Sequence, residues 1–450
     1  MAGPAGVRPA PHEDPILSDQ PTSLFAAPGP ARRYDPVIVF IAGVLMTLGV
    51  AMVYSASTSV QSAPFDWRQW WDTPLRQGVF ALVGFAVMIA AAHVDHRVLA
   101  WERPGDGWRV VVLVLLTVAL LVGVLVPGIG REVLGARRQI FIPGLGRGFQ
   151  PSELAKVVLV VWTAALLSRP ASRRMPESPL REPALPARAR RGRAAPPAPP
   201  ARPARRERVD PTVIEHVDPR SLTRSFLPAV LSGGLMIGLT AIEDFGTAAL
   251  MGVVWFIMLF IAGVRWLHLL SLMCLGGVAA VGLVIMEPYR VTRVTTFLSE
   301  APDPMGAGYQ VDQALLAIGS GGWWGRGLGA GVQKYGYLPQ DNNDFILAII
   351  CEELGAAGGF AIVALFLLFL WRGWRLARRA PGRFGQLVAV GLTLTICLQA
   401  AFNVGVVTNS VPTKGISLPF VSAGGSGVVF LGLAAGLLAS VGRREAAPVA

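Results

Sequence analysis

Residues 110–126 read VVVLVLLTVALLVGVLV, a run with no charge and no proline. It is longer than the core helix of most soluble domains and close to the ~20 residues that cross a bilayer's hydrocarbon core. Outward from it the pattern repeats. Apolar spans fall near 37–57, 75–93, 109–127, 152–168, 226–242, 246–264, 267–286, 345–371, 386–408 and 425–441. Composition agrees: of 450 residues, 53% are hydrophobic and 15% charged, and the mean hydropathy is +0.52. The two or three soluble domains that length alone would suggest are therefore excluded. The expected fold is an all-α integral membrane protein of about ten transmembrane helices.

Charge gives the expected sidedness. The net charge of +12 would suit a nucleic-acid binder, but residues 169–224 alone hold fourteen arginines against six acids. That stretch lies between two spans, so the positive-inside rule explains the surplus and no nucleic-acid partner is expected. Arg32, Arg33, the arginines of 97–109 and 372–383, Arg443 and Arg444 fall on the same side. That side is read as the cytoplasm, with both termini on it. Residues 1–36 are polar, proline-rich and too long for a signal-peptide n-region, so a disordered cytoplasmic tail is expected. Helices one to four then occupy 37–168, and helices five to ten occupy 226–441 with a large outer loop at 287–343. A short tail of 442–450 closes the chain. The Arg- and Pro-rich segment 169–225 is too poor in apolar side chains to fold and is expected to be a disordered cytoplasmic insertion. It is either a contact for anionic membrane lipids or a tolerated linker. Cys274, Cys351 and Cys397 all lie in apolar spans without metal-ligand spacing.

Four outer-face stretches concentrate polar chemistry in a chain where a charge in the membrane costs about 2.5–3.5 kcal/mol. The first runs from Gly135-Ala136-Arg137-Arg138 to Pro151-Ser152-Glu153-Leu154-Ala155-Lys156; its Glu153 and Lys156 share a helix face at i, i+3, as a structural pair or a coupling element. The second is glycine-rich, Gly319-Ser320-Gly321-Gly322-Trp323-Trp324-Gly325-Arg326-Gly327-Leu328-Gly329. It lacks the Gly-Lys-Ser/Thr ending of a phosphate loop and suits a re-entrant loop or half-helix lining a cavity. In the third, Pro339-Gln340-Asp341-Asn342-Asn343-Asp344-Phe345 runs into an apolar helix carrying Glu352 and Glu353. Asp344 stands where a polar loop enters the membrane, which suits either a general base of raised pKa or an N-cap. Asp344 and Glu352 would lie about 12 Å apart along a helix, too far for a carboxylate dyad; Asp341 is a candidate helper. The fourth is Asn403 onward, reading Pro412-Thr413-Lys414-Gly415-Ile416-Ser417-Leu418-Pro419-Phe420-Val421-Ser422-Ala423-Gly424-Gly425-Ser426, a structured outer loop with one cation. Of forty basic residues only Lys156, Lys334 and Lys414 are lysines, and all three fall in these stretches. Retained lysines mark places where a compact ammonium works and a guanidinium fork does not.

At 135–138, 149–156, 308–329, Leu338-Pro339, Asp344-Phe345-Ile346, Glu352-Glu353-Leu354-Gly355 and 412–426, the chain resembles the SEDS family, whose members include FtsW and RodA. The match runs in one register over nearly all of 37–441. The resemblance implies a ten-helix fold in a bacterial inner membrane and peptidoglycan glycosyltransferase activity on lipid II. It also implies a class B penicillin-binding protein transpeptidase as partner, alongside other divisome or elongation proteins. The family's essential aspartate falls on Asp344. Gln333-Lys334, Tyr337-Leu338-Pro339 and Pro412-Thr413-Lys414-Gly415 are more similar to FtsW than to RodA. Gln340 and Asn342 replace the family's usual Glu and His, and Ala423 and Gly427 its usual Tyr and Ser. On this basis Asp344 would be the general base, and Arg137, Arg138, Lys334 and Lys414 would face the diphosphate leaving group. Glu153, Lys156 and Glu352 would be structural or coupling residues. A divalent cation is left open, since no ligand cluster is visible. A lipid II flippase and a non-catalytic divisome scaffold are the alternative classes.

Overall fold

The computed structural model describes residues 34–57, 74–101, 107–133, 136–141, 148–169, 218–298, 307–335 and 343–443. Residues 1–33, most of the Arg/Pro-rich insertion and Gln340 to Asn342 lie outside that set. So does Gly135.

Twelve α-helices form the described molecule: α1 Pro36–Ser57, α2 Pro74–His93, α3 Trp108–Leu125, α4 Pro151–Ser168, α5 Leu227–Glu243, α6 Phe245–Ile261, α7 Trp266–Ile285, α8 Pro288–Leu298, α9 Ala307–Gly321, α10 Ile346–Arg379, α11 Gly382–Val407 and α12 Ser426–Val441. Eight helical stretches are long and apolar enough to cross a membrane, and the shorter apolar α6 and α12 match the remaining two expected spans. The all-α membrane fold stands, with additions in the loops. Between α3 and α4 a small antiparallel sheet runs in the order β1 Gly130–Val133, β2 Ala136–Phe141, β3 Gly148–Phe149. The loop expected at 287–343 contains α8 and α9, whose mixed polarity hid them from a search for apolar runs.

Packing sorts the helices into centre and rim. In the apolar window of α4, 94% of residues are buried, against 6% for α7. An amphipathic helix of a soluble protein buries one stripe; α4 is enclosed all round. The two spans with the least clear limits in the sequence, α2 and α12, pack intimately on each other. A Cβ on Gly432 would meet the Gly84 carbonyl at 2.3 Å, and one on Gly436 would meet that of Met88 at 2.3 Å. Small residues let the two backbones approach where hydrophobic burial alone gives no preference between helix and lipid. Away from the site, Arg372 of α10 binds Asp35 at the start of α1 through contacts of 2.5–3.2 Å.

α10 is not one continuous helix. Gly355 sits at φ 74° and ψ −176°, a backbone conformation only glycine adopts readily. The break frees main-chain groups that lipid could not satisfy, and the glycine turn after α9 takes them up. Arg326 and Gly327 donate N–H to the carbonyls of Glu352 and Glu353, while Ala356 and Ala357 donate to those of Gly322 and Trp323. Gly325 is equally constrained, since a Cβ there would lie 2.2 Å from the Glu353 carbonyl. In this stretch, expected to be a re-entrant loop or half-helix lining a cavity, Trp323 and Trp324 are 71% and 86% exposed while the glycines pack their backbone against α10.

Candidate functional site

One end of the bundle gathers the C-termini of α1, α3, α5, α7 and α11 with the N-termini of α2, α4, α6, α8, α10 and α12. Its organiser is a five-residue strip of irregular chain, Thr413 to Ser417, met residue by residue by α8, α6, the turn before α10, and α11. Arg293 of α8 donates to the Thr413 carbonyl at 2.8 Å. The Lys414 ammonium lies 3.9 Å from the centroid of the Phe245 ring at the start of α6. Gly415 lies against Asp344, and a Cβ there would stand 2.6 Å from Asp344 Oδ2. Asn403 and Gln399, one turn apart on α11, donate to the carbonyls of Ile416 and Ser417 at 2.7 and 2.9 Å. Further on, buried Phe420 holds φ 66°, costly for a bulky residue and maintained by its packing.

Asp344 lies in the turn that precedes α10, half-buried. Phe345 is the capping position of α10 and no side chain caps it, so the N-cap alternative for Asp344 fails. Burial first, then the negative charge of Asp244, raise its pKa to about 6; Arg138 and Arg293 pull in the other direction. At neutral pH the group is mostly ionised yet a far stronger base than an ordinary carboxylate. Lys414 is moved the opposite way, to about 7, by burial and by Arg290, Arg138 and Arg293, with Asp244 opposing. The two groups thus share Asp244, Arg138 and Arg293 as charged neighbours.

These neighbours are held by structure. Asp244 is the single residue between α5 and α6 and caps α6, accepting from the Thr247 N–H at 3.2 Å and the Thr247 hydroxyl at 2.7 Å. Arg138 on β2 donates its Nε to the Glu243 carbonyl at 3.0 Å. Arg290 and Arg293 sit at i, i+3 on α8, the former over the Phe245 ring at 5.3 Å and the latter over Tyr289 at 4.5 Å.

Of the four cations expected at the leaving group, Arg138 and Lys414 are brought to Asp344. Arg137 and Lys334 are not. Adjacent strand residues point to opposite faces, and Arg137 turns to the Leu125 carbonyl at the end of α3. Lys334 is buried, donating to Glu353 at 3.0 Å, to Gly329 O at 2.8 Å and to Ser55 O at 3.1 Å. Its ammonium is spent inside the protein, which corrects its expected role toward substrate. Glu153 and Lys156 do pair, at 2.8 Å, and Lys156 continues to Gln399 Oε1 at 2.7 Å. Fully buried Glu352 accepts the Val332 and Gln333 N–H groups at 2.7 and 3.3 Å. Among the described residues no three His, Cys, Asp or Glu side chains cluster to hold a metal ion. Sequence reasoning missed Asp244, Arg290 and Arg293, and it placed Asn403 at the head of the fourth polar stretch without giving it a partner. An acid between two abutting apolar spans should have signalled Asp244, by the same cost argument that singled out Asp344.

A multi-pass membrane protein with a carboxylate of raised pKa and a ring of cations at one end of its bundle is the class that fold and site define. The chain belongs to the FtsW/RodA/SpoVE family, described as cell cycle proteins, whose model matches residues 36–188 and 212–447. It is 35% identical over 415 residues to stage V sporulation protein E of Bacillus subtilis (strain 168), covering 91% of this chain and 97% of that protein. It is 36% identical over 414 residues to a probable peptidoglycan glycosyltransferase FtsW of Geobacter sp. (strain M18), again covering 91% and 97%. Among solved structures, "Structural coordination of polymerization and crosslinking by a peptidoglycan synthase complex" includes a similar chain, with TM-score 0.61 and 25% identity over 92% of this chain and 99% of that one.

Proposed function

We propose that this chain is a peptidoglycan glycosyltransferase that polymerises lipid II on the extracytoplasmic face of the cytoplasmic membrane. The observation that carries the mechanism is Asp344, a carboxylate with pKa raised to about 6 beside half-buried cations at the bundle end. Asp344 takes the proton from the acceptor sugar hydroxyl as that oxygen attacks the anomeric carbon of the donor sugar. The bond from that carbon to the undecaprenyl diphosphate breaks, and the diphosphate leaves with the bonding pair. Arg138, Arg290, Arg293 and Lys414 supply positive charge in a poorly solvated place, where it stabilises an anion far better than in water. The relatives named peptidoglycan glycosyltransferase support the reaction, and the arginine-rich segments support a cytoplasmic opposite face. The resemblance to a chain from a synthase complex supports work with a cross-linking partner, a class B penicillin-binding protein, and the FtsW-named relatives support a role in division. The test is Asp344→Asn in folded, purified protein. Glycan yield should fall about 10²–10⁴-fold, the usual contribution of a general base; a mutant with normal yield would refute the assignment.

A further inference from the structure

We propose that Asn403 is a positioning residue for this reaction, tying the main chain of Asp344 to the 413–417 strip and thereby setting where the carboxylate stands. The inference rests on Asp344 being the base. Asn403 is fully buried on α11, and its Nδ2 donates to the carbonyls of Asp344 and Ile416, both at 2.7 Å. Those partners lie 59 and 13 residues away in sequence, in a turn and in an irregular loop. Among the described residues no main-chain hydrogen bond joins the two segments. Side chains do that work. Beside Asn403, the Ser422 hydroxyl donates to the Asn343 carbonyl at 2.6 Å and accepts the Leu418 N–H at 2.8 Å.

The chemistry of Asn403 shows that both of its donors matter. Its Oδ1 is buried without a partner, a desolvation penalty that a leucine of similar volume would not carry. What the amide offers in return is a fork of two N–H groups aimed at two strands of chain. The resulting approach is tight, as the space left between Gly415 and Asp344 Oδ2 shows. Asp344 is faced by Asp244 from the α5–α6 junction, Arg138 from β2 and Arg293 from α8, with Lys414 and Arg290 beyond them. The carbonyls of Asp344 and Ile416 that Asn403 binds are not reacting groups, so Asn403 acts through Asp344.

Releasing the clamp should cost turnover and change the titration of Asp344 together. For Asn403→Leu, kcat at neutral pH should drop about ten- to a hundred-fold, the scale of an ångström-sized misplacement. KM for lipid II should stay within about threefold. The acid limb of the pH–rate profile should move below pH 6, because a loosened Asp344 gains water and its pKa returns toward the ordinary carboxylate value. Ser422→Ala should shift both in the same direction by less, and it decides the matter if Asn403→Leu does not fold. Wild-type kcat and an unmoved acid limb in the folded variants would overturn the proposal. So would a loss of rate that only tracks the folded fraction. Asp344→Asn assayed in parallel separates the two levels: if it stays active, the base assignment falls and this inference with it. If it is inactive while Asn403→Leu and Ser422→Ala behave as wild type, only the positioning role falls.

Discussion

Asp344 and Lys414 are drawn toward each other on the pH scale by the same surroundings, a carboxylate to about 6 and an ammonium to about 7. The rate should therefore rise with pH as Asp344 ionises and fall again as Lys414 loses its proton. Lys414→Arg tests the second half. A guanidinium stays charged throughout the accessible range, so the alkaline limb should move up by more than one pH unit while the acid limb stays near 6. An unchanged alkaline limb would remove Lys414 from the reaction. At this scale the sequence was partly readable. A carboxylate at the boundary of loop and apolar helix identifies itself by its cost, and Asp344 was found that way. The lysine argument was too broad about purpose. Lys156 and Lys334 are buried and neutralise Glu153 and Glu353 within the fold. Asn403 opened the fourth polar stretch but its role stayed hidden, because one amide in an apolar helix has neither spacing nor charge to reveal a partner 59 residues away.

The element with most consequence for the fold is the broken α10. Glu352 and Glu353 precede the break at Gly355, and both are fully buried. Glu353 accepts from Lys334 at 3.0 Å and from the Ser55 hydroxyl at 2.8 Å, joining α1, α10 and the glycine turn. Glu353→Gln keeps the shape and strands the Lys334 charge in a dry site. Breaking such a pair from one side typically costs about 3–5 kcal/mol, which a melt of the purified protein in detergent should register as a clear drop in Tm. An unchanged Tm would show that the pair does not hold the turn. The sequence displayed Glu352-Glu353-Leu354-Gly355 as a motif, yet hydropathy reads across it as one span. Only the positive φ of Gly355, and the turn that fits the gap, show two helical pieces. The same blindness hid α8, whose Arg290 and Arg293 carry part of the site's charge: its polarity resembles that of a loop.

For the whole molecule, the ten apolar helices were legible because each span must satisfy its backbone internally, leaving a strong and local signal. The order of packing was not. Nothing in residues 151–168 says that this span is enclosed while residues 266–285 stand at the rim, since lipid and protein interior favour the same side chains. The site is likewise a property of the assembled bundle, built from β2, the α5–α6 junction, α8, the start of α10, α11 and the loop before α12. A protein that binds a lipid-linked sugar could serve transfer across the bilayer as well as polymerisation, so the deciding measurement must watch both. Purified protein in liposomes, with its cross-linking partner supplied, would be given labelled lipid II and scored for glycan strands and for movement of label between leaflets. The account predicts strands of many disaccharides, formed from lipid II on the face that carries Asp344. Translocated lipid II with no polymer, from folded protein and an intact partner, would contradict it.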